Sequence, residues 1–467
     1  MENYLFEKMP VPKAYMKLAL PVVLSMIVSL VYNMVDTYFI ALTGVQELVA
    51  GVSLVAPMFA LMIAFGDIFG LGGSSVISRL LGEKKDNEAK KTCAFCIWVS
   101  LVFGLCISAI LLLFRTQILG LLGVSKVTYE YANAYYTWIA IGAVSIIFSM
   151  VPSNILRTEG LAVQSMAGSI IGSIVNIIFD PIFIFGLNQG AAGAAMATVL
   201  GNIIADIYYV YAVIKKSKRL TCSPSHMKIT GRRVKDILMI GIPASITNIM
   251  QTFMMVMTNN FLLPYGTDKV AAMGIALKVN IITALVLVGF AFGGQPLVGY
   301  NYGAKNEKRL KNILKFAYLF EIGLGLLFTI IMCIFAPQII KVFMDKPDII
   351  TNGAMMLRFQ QMGMIFMSVT LISTCVCQAV GNAGGAFVLP DTHKSDLCIG
   401  TFDHVKCIWI YRSFGITGML RCGNSIDRSG DYVKDYEKIY KELKNINQQM
   451  ILSDLLLTCI IHTFRIG

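Results

Sequence analysis

LALPVVLSMIVSLVYNMVDTYFIAL, residues 18–42, decides the fold class. A helix of about 20 apolar residues spans the hydrocarbon core of a bilayer, so this stretch is long enough to cross one. One carboxylate, Asp36, and one amide, Asn33, interrupt it; three apart, they share a helix face. An acid at the bilayer centre costs about 2.5–3.5 kcal/mol on insertion scales. Such a residue is tolerated where it faces a bundle interior, a pore or a wet cavity. The rest of the chain supplies those surroundings.

The chain has 467 residues, is 56% hydrophobic and only 14% charged, whereas soluble domains carry about 25% charge. Ten apolar runs recur, at 18–42, 49–72, 92–114, 131–154, 161–185, 191–214, 238–262, 270–298, 313–335 and 353–380. This is the pattern of an all-α polytopic membrane protein. The first run has no small-residue cleavage pattern and reads as a retained helix rather than a signal peptide. Pro21, Pro57, Pro152, Pro181, Pro243 and Pro296 lie at or inside the runs, as packing kinks or as bending points of a moving bundle. Most of the eleven cysteines sit singly in apolar stretches, as small core residues do. Cys93 and Cys96 form a CxxC with no His or second CxxC nearby, which argues against a redox or metal role. No cluster of His, Asp or Ser suggests an enzyme.

Charge sets the orientation. The net charge of +12 is concentrated in alternate connections, with five basic residues in 79–91, eight in 215–236 and five in 303–315. The connections between them carry at most two basic residues each. By the positive-inside rule the basic loops and the N-terminus are cytoplasmic. The basic balance is therefore a topology signal and not a nucleic-acid footprint.

A repeat underlies the spans. At an offset of 221 residues GLGGSSVISRLLGEKK (70–85) lies on AFGGQPLVGYNYGAKN (291–306), with Gly72 on Gly293, Gly73 on Gly294, Gly82 on Gly303 and Lys90 on Lys311. Gly160 meets Gly381, and one residue of slippage puts Pro21 on Pro243. The expected ancestor is a six-span unit used twice. Six is even, so the copies enter the membrane alike, as parallel repeats. The expected organisation is a six-helix lobe over 1–214, a basic cytoplasmic linker over 215–236, a second lobe over 237–389 with four clear helices, and an atypical tail over 390–467.

The tail breaks the pattern. The spans at 161–185 and 191–214 should recur near 382–406 and 412–435, but the residues there are PDTHKSDLCIGTFDHVKCIWIYRSFGITGMLRCGNSIDRSG and no apolar run of 18 appears. A reading frame shifted near 390 and restored near 436, a divergent cytoplasmic tail, and a rebuilt segment packed on the bundle all account for this. The last two helices of the second repeat are atypical or missing.

The polar residues inside the spans suggest the site. Asn176 and Asp180 are four apart, as are Asn202 and Asp206, so each pair shares a helix face. Three acids and three amides, with Gln164 as a further member, make the first lobe the expected seat of coupling. The second lobe offers amides instead: Asn248, Gln251, Asn280, Gln360 and Gln378. Glu321 has no evident partner. A carboxylate away from water favours taking up a proton, and with amide carbonyls nearby it also suits Na⁺. The chain has 26 Met and 27 Phe. Met fills irregular shapes and aromatic faces attract organic cations, although membrane helices are rich in both anyway.

LPVVLSMIVSLVYNMVDTYFIALTG and AGVSLVAPMFALMIAFGDIFGLGGSSVISRLLGEKK, with AMGIALKVN and GFAFGGQPLVGYNYGAKN in the second copy, resemble the multidrug and toxic compound extrusion family, bacterial branch. The likeness covers about residues 1–389. It implies twelve helices in two six-helix lobes around a V-shaped cavity, in the bacterial inner membrane. It implies secondary active efflux of cationic amphiphiles by antiport with H⁺ or Na⁺, with no other cofactor and the chain as a monomer. Asp36 and Asp180 would take part in ion coupling, with Asn33 and Asn176 beside them. Gln164, Asn202, Asp206, Asn248, Gln251, Asn280 and Gln360 are the expected cavity residues. The alternatives are a flippase or exporter of lipid-linked or polysaccharide precursors, or an inactive copy of the transporter. Flippase cavities tend to present several Arg to phosphates, and the spans here have almost none.

Overall fold

The computed structural model describes residues 4–262 and 267–381, with side chains except over 247–271. The side chains of Asn248 and Gln251 lie outside the described ones, and the tail at 390–467 lies outside the described residues. Twelve α-helices are present among the described residues: α1 (Val11–Leu42), α2 (Gln46–Gly82), α3 (Asp86–Leu113), α4 (Arg115–Leu121), α5 (Tyr129–Thr158), α6 (Ala162–Pro181), α7 (Gly190–Lys215), α8 (Gly231–Leu262), α9 (Thr267–Gly303), α10 (Glu307–Ile334), α11 (Ala336–Phe343) and α12 (Pro347–Val380). Nine helices among the described residues are long and apolar enough to cross a bilayer. The chain is an all-α, multi-pass membrane bundle.

The helices outrun the apolar runs. α3 begins at Asp86 and α10 at Glu307, several residues before the hydrophobic stretches at 92 and 313. Acidic residues suit a helix N-terminus, where the backbone dipole is positive, so these charged turns stay helical. Short helices α4 and α11 are a feature the hydropathy does not announce. They follow breaks at Phe114 and Phe335 inside otherwise apolar sequence.

The repeat is visible in the backbone. α2 starts at 46 and α9 at 267, α3 at 86 and α10 at 307, α4 at 115 and α11 at 336. Each pair is 221 apart, and α2 and α9 are both 37 residues long. The left-handed residues repeat too, Lys84 with Lys305 and Gly160 with Gly381. Equivalent positions thus carry the same non-helical turns.

α1 lies between α6 and α9, while α2 packs against α5, α8 and α9. α7 packs on α5 and α6, and α12 on α9 and α10. The ends of α2 and α9 nearest the basic loops meet at backbone distance. A Cβ on Gly82 would run into the carbonyl of Tyr300, and one on Gly303 into the carbonyl of Arg79. Polar bonds fasten the same end. Arg79 Nη1 donates to the Val380 carbonyl at 3.0 Å, Gln295 Nε2 donates to Gln378 Oε1 at 3.0 Å, and Ser75 Oγ donates to the Gln378 carbonyl.

The N-terminal turn Tyr4–Lys8 is strapped across this end. Leu5 and Phe6 are buried. Arg309 donates from Nε to the Phe6 carbonyl at 2.7 Å and from Nη2 to the Met9 carbonyl at 2.6 Å, and Tyr300 donates its hydroxyl to Glu7 at 2.8 Å. The basic connection after α7 is docked as well. Glu159, at the end of α5, accepts from the backbone N–H groups of Lys218 at 2.8 Å and Arg219 at 2.9 Å. Trp98 Nε1 donates to the Cys222 carbonyl at 2.9 Å, and burial pushes the Cys222 thiol up to about 11. It therefore stays a neutral thiol at physiological pH.

Gly82→Ala forces a methyl group into the backbone of α9, and overpacking of this kind costs about 1–3 kcal/mol. Gly323→Ala places its methyl where nothing lies within 4 Å. Thermal unfolding of the two variants in detergent should show a lowered midpoint for Gly82→Ala alone. Equal midpoints would contradict the close approach.

Candidate functional site

The site is built where α1 passes α6. Asp36 is half-buried on α1 and Asp180 fully buried near the end of α6. Their carboxyls lie within hydrogen-bonding reach of each other. Two acids this close cannot both carry full charge cheaply. Oδ1 of each has no hydrogen-bond partner among the described residues.

A second layer holds Asp180. With its amide nitrogen turned toward the acid, Asn176 donates to Asp180 Oδ2 at 3.2 Å. Its oxygen then accepts from Thr198 Oγ1 at 3.2 Å and from the Thr198 N–H at 3.1 Å. Asn176 sits one turn before Asp180 on α6, and Thr198 comes from α7. Pro181 follows, has no N–H to give back along the helix, and leads into the π turn Ile182–Gly186. Tyr32 of α1 and Tyr135 of α5 stand near enough to feel both carboxyls.

Asn33 does not join this network. It is exposed, and its Nδ2 donates to the Ser29 carbonyl of its own helix at 2.7 Å. Three helical residues turn the chain about 300°, leaving Asn33 to one side of the face that carries Asp36. Gln164 does not join it either. It lies in the first turn of α6, sixteen residues before Asp180, which is about 24 Å along the axis.

Asn202 and Asp206 form a separate patch further along α7. Asn202 Nδ2 donates to the Thr198 carbonyl at 2.8 Å. Asp206 Oδ2 accepts from Ser145 Oγ of α5 at 2.7 Å, while its Oδ1 has no partner among the described residues. Eight residues of α7 put this acid about 12 Å from Thr198. In the second copy Asn280 and Gln360 are half-buried. Asn280 Oδ1 accepts from Gln361 Nε2 at 3.2 Å, and Gln360 Nε2 donates to Met273 Sδ at 3.0 Å.

Sequence reasoning missed Thr198, Gln361 and the pair formed by buried Asp67 of α2 and half-buried Arg157 of α5. The two charges lie close enough to interact, and Arg157 also donates to Asn154. The intrahelical GDIFGLGG of α2 held the clue, an acid among glycines at membrane depth. Cys93 and Cys96 are fully buried, and among the described residues no group of metal-ligating side chains is assembled.

The MatE family matches residues 21–182 and 243–388, one stretch in each copy of the repeat. The multidrug export protein MepA of Staphylococcus haemolyticus is 29% identical over 421 residues, covering 89% of this chain and 91% of that protein. MepA of Staphylococcus aureus strain MSSA476 has the same identity and coverage. Among solved structures, an outward-facing multidrug resistance MATE family transporter of the MOP superfamily aligns with TM-score 0.78 at 23% identity, over 90% of this chain and 96% of that one. A MOP superfamily transporter from Pyrococcus furiosus aligns with TM-score 0.77 at 24% identity over the same shares; the reversed polarity of its binding pocket is described as suggesting a different function. The buried acid pair, the repeated helices and the two-part family match together place this chain in the MatE family of membrane transporters.

Proposed function

We propose that the chain is a secondary active multidrug exporter that moves cationic amphiphiles outward in exchange for inward protons. The direct approach of the Asp36 and Asp180 carboxyls carries this reading. A carboxyl–carboxyl hydrogen bond needs one proton between two oxygens. A Na⁺ ion would need a shell of oxygen ligands around it, whereas Asn176 and Thr198 spend their groups on each other and on Asp180. Uptake or loss of the shared proton changes the charge at the junction of α1 with α6. That change is the local event that biases the bundle between two arrangements.

The architecture proposed for this cycle is a lobe over 1–214 and a second from 237, joined by the linker 215–236, around a V-shaped cleft. The N-terminus and the basic loops lie on the cytoplasmic side of the bacterial inner membrane. The fastened ends of α2, α9 and α12 then form the closed cytoplasmic side of the cleft. The cargo site lies deeper, with Asp206 as the carboxylate for an organic cation and Asn202, Asn280 and Gln360 as neutral polar contacts. A flippase for phosphate-bearing precursors fits less well, because the polar groups at this site are acids and amides.

Everted vesicles holding this chain should accumulate ethidium when energised with a proton gradient. Asp36→Asn should reduce that accumulation to the level of empty vesicles while ethidium binding survives. Full efflux by that variant, or accumulation only with a Na⁺ gradient, would sink the proton role. Asp206→Asn should instead raise the half-saturating ethidium concentration about tenfold, the loss of roughly 1.4 kcal/mol of cation binding, with proton-driven accumulation retained at saturation. An unchanged value would remove Asp206 from the cargo site.

A further inference from the structure

The aspartate pair leaves one intramembrane acid unused. Glu321 lies midway along α10 and is completely buried. Neither carboxyl oxygen has a hydrogen-bond partner among the described residues. An ionised carboxylate in that position would be without any hydrogen bond, and buried acids without partners are rare in membrane helices unless they serve transport.

The titratable groups around it are few. Tyr15 of α1 and Cys375 of α12 lie close enough to interact with it electrostatically. Tyr15 gives its hydroxyl proton to the Phe290 carbonyl of α9 at 2.9 Å. Tyr318, three residues back on α10, shares a 2.9 Å hydrogen bond with Ser373 of α12. Arg157 acts on Cys375, and among the described residues no ion pair reaches Glu321. A small cavity, about the size of one water, is lined by Tyr15, Gln295 and Cys375, and by Ala317, one turn before Glu321 on the same face of α10.

Tyr15 is the wall of this chamber contributed by the first copy. Its ring packs on Phe316 at 5.4 Å and Phe320 at 6.3 Å, and it fills the space beside Gly294 where a Cβ would stand. Were α1 to separate from α9 at their ends near the basic loops, Tyr15 would be withdrawn and water would reach the cavity that Ala317 lines, one turn from Glu321.

The geometry points to Glu321 as a second proton-binding site of the transport cycle, sealed in this conformation by Tyr15 and opened to water when α1 parts from α9. The step is a plain proton transfer. The carboxylic acid gives its O–H proton to water, the carboxylate is left hydrated, and it is protonated again before the chamber closes. This rests on the reading of the chain as a proton-coupled exporter.

The test uses liposomes holding the full chain. The proton gradient that just balances a fixed tetraphenylphosphonium gradient gives the number of protons exchanged per cation. Glu321→Gln and Glu321→Met should each lower that number by one and keep ethidium binding, whereas Asp36→Asn abolishes exchange altogether. An unchanged number in a variant that binds ethidium overturns the inference and leaves the exporter reading standing. Proton release gives a second readout. In weakly buffered solution with a pH dye, ethidium binding should displace one proton more from the wild-type chain than from Glu321→Met. Equal release overturns Glu321 alone; no release from either, with no proton-driven exchange, overturns both.

Discussion

A carboxyl group withdrawn from water must be given a proton, a counter-charge or hydrogen bonds, and the interior of this bundle is arranged around that requirement. Each buried acid meets it differently. Asp180 is held by Asn176 and by its neighbour Asp36. Asp206 has the hydroxyl of Ser145. Asp67 has the charge of Arg157 nearby, and Glu159, at the membrane edge, has backbone N–H groups of the linker. Only acids with incomplete solutions can change state at modest cost. Asp67 and Glu159 are structural by this criterion; Asp36, Asp180, Asp206 and Glu321 keep bare oxygens.

The repeat supplies the scaffold but not the chemistry. Helices begin at equivalent positions, and the glycine contacts answer one another, Gly82 against Tyr300 and Gly303 against Arg79. Such contacts need backbone at the surface of both helices, so both copies keep glycine there. The polar residues diverge. The first copy places acids at the α1–α6 and α5–α7 junctions, while the second places amides between α9 and α12. Duplication thus repeats the backbone frame, while the buried acids concentrate in the first copy and the second keeps one, Glu321 of α10, among the described residues.

Much of this was legible in the chain. The offset of 221 residues, read from glycines and lysines, is the offset of the helices themselves. Asp36, Asn176 and Asp180 stood out because acids and amides are expensive at membrane depth. Their pairing was not legible, because it depends on which face of α1 meets α6, and nothing within either helix says so. Asn33 looked equivalent to Asp36 by spacing, yet 60° or so of rotation on the helix sets it beside Tyr32 and not on the carboxyls. Thr198 was hidden in an alanine-rich run, GAAGAAMATVL, where a single hydroxyl has no periodic partner. Gln361 was overlooked beside Gln360 because neighbours point about 100° apart, and the more buried of the two is recognised only when α9 is set against α12.

Helix α1 is the element that physically links these parts. It carries Asp36 near one end and Tyr15 near the other, twenty-one residues apart, or about 31 Å along the axis. At the first end it touches α6, which carries Asp180; at the second it touches α9 and α10, with Tyr15 lining the small cavity that Ala317 also lines, one turn from Glu321. Pro21 lies between them, one missing hydrogen bond in an otherwise continuous helix. A rigid rod would convey any tilt at Asp36 to Tyr15 in full, whereas a freely jointed one would convey none. A single proline in a long packed helix lies between those limits. It permits a bend while neighbouring helices limit its extent. Asp36 and Tyr15 are thus carried on one helix, and α1 fixes the separation of the carboxyl from the tyrosine that stands beside Gly294.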